Sequence, residues 1–221
     1  MKRLAAVIVC LVFIGGCETL PFRQEPAVNL ENPDPALIRR VFREGSAGHF
    51  RLINTIVFDY NGRAFSGIGF VEVDAAEKSF ALSCINQVGI KLFELSFDKN
   101  GLTTHFALPE FSSRGNFSGV VGEDIQRIYF DLVPSADAEI EIKKSSVLFR
   151  QTVGKGIQEY VFSGPERRLT EKTYYEDGNP VWRVSFYEYM EKDGKAYPGG
   201  TIFKNYLYGY RLIVRLKEIL D

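Results

Sequence analysis

The stretch HFRLINTIVFDYNGRAFSGIGFVEV, residues 49–73, decides the fold. Apolar and polar residues alternate along its first half, which is the period of a strand with one buried face. Asn61-Gly62 then provides a strong two-residue hairpin signal. Gly67 and Gly69 in the second half indicate close packing or a bulge in a curved sheet. The stretch therefore predicts two long antiparallel strands in a sheet that curves.

Similar strands follow toward the C-terminus, interrupted by one helix. They are predicted at 78–84, 90–97, 102–108, around 140, and at 147–152, 157–163, 169–175, 181–190, 201–206 and 210–219. One helix is predicted from Pro35 to about Arg43 with Asp34 as its N-cap, and another over 125–132, ended by Pro134. About ten or eleven strands without βαβ alternation predict an antiparallel α+β fold. Such a sheet, with one apolar face, can curl around an interior.

The first sixteen residues have the order of a secretory signal peptide. Lys2-Arg3 precedes an apolar run over 4–14, and Gly15-Gly16 precedes Cys17. This run is too short to span a bilayer, which takes about 20 residues. The sequence IGGC, residues 14–17, resembles the lipobox of bacterial lipoproteins, which implies that Cys17 is acylated and becomes the mature N-terminus. The alternative is an ordinary secretory signal with a chance cysteine.

We divide the chain into a signal peptide at 1–16, a lipidated Cys and Pro-rich tether at 17–35, and one folded domain at 36–221. The tether would extend on the order of 50 Å and let the domain stand off the membrane. Glu18 favours the outer membrane, since Asp after the lipidated Cys is the inner-membrane retention residue of the best-studied sorting rule. We expect a lipid-anchored protein that faces the periplasm.

Composition excludes several classes of function. The net charge of −1 provides no basic face for nucleic acid. His49 and His105 stand without spaced metal ligands, and no nucleophile or phosphate-binding motif is present. Cys84 lies in an alternating run and is interpreted as a small buried apolar residue. The sequence predicts a protein that is not an enzyme and needs no metal or cofactor.

The aromatic content is the main informative feature, with eighteen Phe and eleven Tyr. These side chains indicate either a packed core or an apolar cavity for a lipid tail, and the pattern leaves both open. Within each strand, residues of one parity share a face. We predict that this face lines the cavity with Phe50, Leu52, Phe58, Phe65, Phe80, Leu82, Phe106, Trp182, Val184, Phe186, Leu212 and Val214.

Two stretches resemble LolB, the outer-membrane acceptor of the lipoprotein localisation pathway, and more loosely its partner LolA. The first is SFALSCINQVGIKLFELSFD, residues 79–98, and the second spans residues 168–216. The second matches the family's order of residues at Arg168-Leu169, Thr173-Tyr174, Gly178, Trp182, Tyr189, Pro198, Leu212, Val214 and Leu216. The resemblance implies an unclosed antiparallel β-barrel with capping helices and an acyl-chain cavity, acting as a carrier or acceptor.

The resemblance also implies a role for the loop that contains Ile85, Val88 and Gly89. In LolB-like proteins an apolar residue before the Gly protrudes and contacts the membrane when cargo is handed over. The family loop has Pro-Leu-Gly where this chain has Gln87-Val88-Gly89, which predicts a weaker effect. The alternative is an ordinary turn with Val88 in the core.

The implied partners are membrane lipid through acylated Cys17, an acyl-chain or lipoprotein cargo, and a periplasmic carrier protein. A second interpretation keeps the fold but not the cargo. In it the chain is an accessory lipoprotein that binds a protein partner during envelope assembly.

Overall fold

A computed structural model describes residues 20–113 and 115–221, which contain three helices and fourteen strands. The predicted signal peptide, residues 1–16, and Cys17 lie outside the described residues. The helices are α1 (Pro35–Gly45), α2 (Pro109–Ser112) and α3 (Phe117–Tyr129). The strands are β1 (His49–Tyr60), β2 (Arg63–Asp74), β3 (Ser79–Ile85), β4 (Lys91–Asp98), β5 (Gly101–Ala107), β6 (Glu139–Ile142), β7 (Ser146–Val153), β8 (Gly156–Ser163), β9 (Arg168–Glu176), β10 (Asn179–Tyr187), β11 (Met190–Lys192), β12 (Lys195–Tyr197), β13 (Gly200–Asn205) and β14 (Tyr210–Leu220).

Twelve strands form one antiparallel sheet in the order β5-β4-β3-β2-β1-β14-β13-β10-β9-β8-β7-β6. The two ends of this order, β5 and β6, are not paired with each other, so the sheet is unclosed. The strands β11 and β12 form a separate two-stranded ribbon. The predicted α+β fold with an unclosed antiparallel sheet is confirmed. The prediction had extended β10 to Met190 and therefore missed the ribbon.

The hairpin of β1 and β2 shows why the opening stretch folds as it does. Asn61 and Gly62 both have positive φ, at 50° and 71°, as a tight two-residue hairpin turn requires. A Cβ atom on Gly69 would lie 2.5 Å from the Ile56 side chain, and one on Gly67 would lie 2.8 Å from the Ile85 carbonyl oxygen. Close packing therefore explains both glycines of β2.

The helices begin where polar side chains cap them. The Asp34 carboxylate accepts the amide N–H of Ala36 at 2.9 Å, which confirms the predicted start of α1. The predicted start of the later helix was wrong, because α3 begins at Phe117 rather than near Ile125. The Asn116 side chain caps α3 by accepting the Gly119 N–H at 3.2 Å. The Gly- and Ser-rich composition of this segment hid its first two turns.

Two apolar clusters fill the concave side of the sheet. The first surrounds Tyr160, Phe162 and Val184 and packs beneath α1. The second surrounds Leu82 and Leu95 and packs beneath α3. Tyr129 at the end of α3 contacts both clusters, so the interior is divided at this helix.

Antiparallel pairing sends the turns to two opposite rims. One rim contains the turns at 61–62, 86–90, 154–155, 177–178 and 206–209. We call it the apolar rim because two of these turns expose the large apolar side chains Val88 and Leu207. The cavity rim contains the turns at 75–78, 99–100, 143–145 and 164–167, together with the ribbon of β11 and β12.

The segment before α1 lies against the domain instead of extending from it. Phe22 is buried and stacks on Tyr187 with ring centroids 5.4 Å apart. The Arg215 guanidinium lies 4.5 Å from the centroid of the Phe22 ring. Further along, the Leu30 N–H donates to the Lys144 carbonyl at 2.9 Å. The expected free tether is therefore wrong for its described part, because an aromatic anchor and backbone hydrogen bonds hold it.

Candidate functional site

A cavity of about 270 Å³ lies at the seam between the two apolar clusters, toward the cavity rim. Its floor is the concave face of β1 and β14, and α3 forms one wall. The C-terminal end of α1 and the ribbon of β11 and β12 cover it. Its lining is Phe42, Ser46, Ala47, Phe50, Leu52, Asn54, Ala75, Ile128, Tyr129, Asp131, Leu132, Val133, Phe186, Tyr189, Ala196, Tyr197, Pro198, Thr201, Val214 and Leu216.

The polar groups in this lining are few and are mostly paired. The buried Tyr129 hydroxyl is hydrogen-bonded to the side chain of Asn54, and burial raises the pKa of Tyr129 above its ordinary range. The Tyr189 hydroxyl donates to the Leu169 carbonyl at 2.7 Å. Asp131 is exposed and forms an ion pair with Lys78. The surface of the cavity is therefore mainly apolar, which suits a hydrocarbon ligand.

Two buried polar contacts fasten α3 over the interior. The Lys172 ammonium, on β9, donates to the carbonyls of Arg127 at 2.9 Å and Phe130 at 2.7 Å. These carbonyls belong to the C-terminal end of α3, where the last carbonyls have no partner within the helix. Farther back on the helix, Asp124 accepts a short hydrogen bond from the Tyr210 hydroxyl of β14. The helix is thus tied to two separate strands.

Burial shifts the pKa values of both charged groups in these contacts. It raises the pKa of Asp124 to about 6, although the hydrogen bond from Tyr210 and the charge of Arg127 act to lower it. It lowers the pKa of Lys172 to about 7. Because both values lie near neutrality, the attachment of α3 should depend on pH.

The twelve residues predicted for the cavity fall into three groups. Phe50, Leu52, Phe186 and Val214 line it. Seven others point to the same side but pack within the apolar clusters, and these are Phe58, Phe65, Phe80, Leu82, Trp182, Val184 and Leu212. The parity rule therefore identified the concave face, but it could not distinguish cavity lining from packed core.

Phe106 is the exception and corrects the prediction. It is 39% exposed and lies opposite Glu94, on the convex side of the sheet. The pairing of β4 and β5 shifts between Glu94 and Leu95, so that Leu95 pairs with Thr104 but Glu94 pairs with Phe106. The extra residue is His105, and such a bulge reverses the parity of the residues beyond it.

The predicted delivery loop is exposed at the apolar rim. Val88 is 79% exposed, so the alternative in which it packs into the core is wrong. The Asn86 side chain accepts the N–H groups of Val88 at 3.0 Å and Ile90 at 2.9 Å. Gly89 adopts a φ of 87°, which favours glycine. The loop therefore presents an apolar side chain from a hydrogen-bonded turn.

Several lining residues escaped the sequence analysis. Phe42 lies in the predicted α1, but its position over the cavity depends on how the helix packs. Tyr189 immediately precedes the ribbon and Tyr197 is its last residue, and the ribbon turn contains Asp193-Gly194. Read as a two-residue hairpin signal, this pair could have located the ribbon.

The histidines and the cysteine of the described residues lie outside the cavity lining. His49 pairs with Glu72 at 3.1 Å, and His105 with Ser96 at 2.8 Å, both in exposed positions. Within residues 20–113 and 115–221, no three His, Cys, Asp or Glu side chains form a metal-ligand group. Cys84 is buried as predicted, and burial raises its thiol pKa to about 11. None of the helices in this part of the chain is long and apolar enough to cross a bilayer.

Comparison with known sequences and structures gives a family and a fold. The family model described as "Protein of unknown function (DUF3261)" matches residues 52–218, which is more than half of the chain. No curated protein sequence matches significantly.

Among solved structures, a LolA superfamily protein from Nitrosomonas europaea superimposes with a TM-score of 0.56 at 10% identity, covering 83% of this chain and 91% of that one. A DUF1329 family protein from Desulfovibrio piger gives 0.50 at 10% identity, covering 83% and 90%. A structure described as a "putative outer membrane lipoprotein-sorting protein domain" from Vibrio parahaemolyticus gives 0.49, with the same identity and coverage as the D. piger protein. At 10% identity, the likeness to the N. europaea protein establishes a LolA-type fold.

Proposed function

The chain belongs to the DUF3261 family, and we propose that it binds acyl chains or other hydrophobic cargo in its cavity. In this proposal it is a carrier or acceptor in lipid or lipoprotein localisation, as a LolB-like protein would be. It is anchored to the outer membrane by acylated Cys17 and faces the periplasm. Its work is binding and release, without catalysis.

The apolar cavity is the observation that carries the proposal. Its walls are aliphatic and aromatic side chains from β1, β14 and α3, and the buried polar atoms among them already have partners. Burial of each methylene of a ligand is worth about 0.8 kcal/mol, so ten of them give about 8 kcal/mol without any directed contact. A hydrocarbon chain fits such a site better than a polar ligand.

The cover over the cavity provides a place for cargo to enter. The end of α1 is joined to the ribbon by a bridge between Ser46 and Ala196, and the Lys195 ammonium donates to the Glu44 carbonyl at 2.6 Å. These contacts lie at the surface, so separating them costs little compared with opening the sheet. We place the cargo entrance between α1 and the ribbon.

The exposed Val88 supports a role in delivery. The side chain is held in water by a hydrogen-bonded loop, so it gains stability only when an apolar phase covers it. Full burial of such a side chain in lipid is worth about 1.5–3 kcal/mol. Contact between the 86–90 loop and the membrane would therefore bring the domain to its site of release.

Native mass spectrometry of the protein purified from membranes tests cargo binding. We expect co-purified lipid, and we expect Val214→Trp to remove it because the larger ring fills the cavity from β14. Ile213→Trp is the matched control, since its side chain points to the opposite face of the same strand. Equal lipid in all three proteins, with unchanged melting temperatures, would refute the cavity as the binding site.

A second candidate is favoured by the edge strand β6. Ile140 and Ile142 are exposed there, and the outer backbone of an edge strand can pair with a strand from another protein. In that case the chain would be an accessory protein of envelope assembly. Ile140→Lys would then abolish partner capture and leave any lipid content unchanged.

A further inference from the structure

The turn between β13 and β14 carries the sequence Tyr206-Leu207-Tyr208 at the apolar rim. Leu207 is 70% exposed, and the two tyrosines are 51% or less exposed. The Tyr206 N–H donates to the Val181 carbonyl at 2.9 Å, and the Tyr208 N–H donates to the Asn205 side chain at 3.1 Å. The turn therefore holds a large aliphatic side chain in water between two aromatic rings.

This tip continues a surface shared with two neighbouring hairpins. The sheet order places the hairpins of β3 and β4, of β1 and β2, and of β13 and β14 next to one another. The first hairpin exposes Val88 in its turn, the second exposes Tyr60 at the end of β1, and the third exposes Leu207 in its turn. Tyr208 and Tyr210 stack with centroids 6.4 Å apart, and Tyr210 lies 5.0 Å from Phe58. An aromatic row, buried at Tyr210, thus joins the tip to the hairpin of β1 and β2 beneath this surface.

We propose that the Tyr206–Leu207–Tyr208 tip is a second membrane contact, which seats the domain on the same bilayer that holds Cys17. The inference rests on the lipid anchor in the proposed function. An aliphatic side chain between tyrosines matches the chemistry of a bilayer surface, where aromatic rings lie at the level of the headgroups and aliphatic groups lie deeper.

The position of the N-terminal segment argues for the bilayer rather than another occupant. Phe22 packs on Gly200 and beneath Arg215, which belong to β13 and β14 themselves. Cys17 precedes Phe22 by five residues, so the lipid anchor stays within about 17 Å of that ring. The hairpin that carries the exposed tip is therefore also the hairpin to which the anchored segment is fixed.

This arrangement lets the anchor and the tip reach one bilayer. Leu207 lies in the turn just beyond β13, whose five residue steps from Gly200 to Asn205 span about 17 Å. The anchor also reaches about 17 Å from Phe22, so both points can meet one flat bilayer. The cavity entrance lies at the end of these strands away from the tip.

Site-specific labelling of the full-length lipidated protein in phosphatidylethanolamine–phosphatidylglycerol vesicles tests the contact. An environment-sensitive NBD dye is attached at Leu207→Cys or, as control, at Ile142→Cys. Ile142 is also an exposed apolar residue, but it lies on β6 near the cavity rim. Cys84 is buried and should not compete for the dye.

We expect the dye at position 207 to shift to shorter emission wavelength and to be quenched by spin-labelled lipid, while the dye at 142 stays in water. Equal emission and quenching at the two positions would overturn the inference. A shift at 207 that persists in detergent with a dimeric protein would assign the tip to a second copy, and would also overturn it.

The dye experiment can fail independently of the test for cargo binding. If lipid is bound in the cavity but the dye at 207 stays in water, only the membrane contact of the Tyr206–Leu207–Tyr208 tip would be refuted. A quenched dye at 207 in a protein without bound lipid would refute only the cargo cavity. Leu207→Glu supplies an independent check, because it should remove membrane seating while the lipid bound in the cavity remains.

Discussion

The two rims of the sheet are built from the same kind of β-hairpin, yet they differ in the side chains that two of their turns expose. Turns at the cavity rim carry charged residues, among them Lys99, Lys143 and Arg167. At the apolar rim the turns at 61–62, 154–155 and 177–178 are also polar, but the turns at 86–90 and 206–209 expose Val88 and Leu207. Solvent-exposed turns favour polar residues, so the cavity rim is the ordinary case. The cavity and its cover therefore lie at one end of the sheet, and the turns that expose Val88 and Leu207 lie at the other.

The apolar rim is also well ordered by its own hydrogen bonds. Asn86 fixes one turn through two backbone N–H groups, and Asn205 fixes another through the N–H of Tyr208. Gly89 and Gly209 supply the positive φ angles. The exposed apolar side chains are thus presented by the fold, which is expected for a contact surface.

Any contact between the apolar rim and the membrane depends first on the lipid anchor at Cys17. Removing this anchor should have the largest effect of the changes proposed here. Cys17→Ser replaces the thiol that accepts lipid with a hydroxyl, so we expect complete loss of acylation. Metabolic labelling with a radioactive fatty acid measures it, with Cys84→Ser as the control that keeps its label. Equal label in Cys17→Ser and the unmodified protein would end the lipoprotein interpretation.

Val88→Glu tests whether the apolar rim delivers cargo. We expect normal folding and lipid content but about ten- to hundredfold slower transfer to liposomes, because burial of the apolar side chain is lost. Ile142→Glu makes the same change at an exposed position off this rim and should transfer normally. Unchanged transfer by Val88→Glu would remove the 86–90 loop from the mechanism.

Phe22→Ala tests how firmly the N-terminal segment is held near the base of β13 and β14. We expect the unfolding free energy to fall by about 1.5–3 kcal/mol, since a buried aromatic ring is lost. Limited proteolysis should then cut more rapidly within residues 20–34. Phe70→Ala, at a half-exposed position on the convex face, is the control. Protection equal to that of the unmodified protein would mean that the backbone contacts alone hold the segment.

The last prediction concerns the attachment of α3, which lies over the interior between the two apolar clusters. The folded pKa of Lys172, about 7, lies below its ordinary value of 10.5. Between these values the unfolded chain binds more protons, so stability rises with pH and is lost as pH falls through about 7. From pH 7 to 9 we expect a contribution of up to about 1.4 kcal/mol per pH unit from this group.

Denaturant titrations at pH 7, 8 and 9 measure this slope. Lys172→Met should flatten it, because the titrating group is gone, while Lys155→Met at an exposed turn should leave it unchanged. An identical slope in Lys172→Met would show that another group is responsible.

Prediction from sequence succeeded where a local pattern was sufficient. Alternation and Asn61-Gly62 gave β1 and β2, and Asp34-Pro35 gave the start of α1. It failed for Phe106, because a bulge one residue away reverses parity without any local mark. It also failed for the start of α3, where glycines and serines mask a helix that Asn116 caps and Leu102 packs against through Gly122.

The sequence by itself determined an antiparallel sheet and its inward face, because these follow from periodicity and from backbone preferences within a few residues. Only the tertiary structure decided that four of twelve predicted side chains line a cavity, that Lys172 holds α3, and that Phe22 lies on the hairpin of Leu207. Each of these joins residues that are distant in the chain. These contacts depend on how the sheet curves and on which surfaces it buries, and a local sequence pattern cannot predict either.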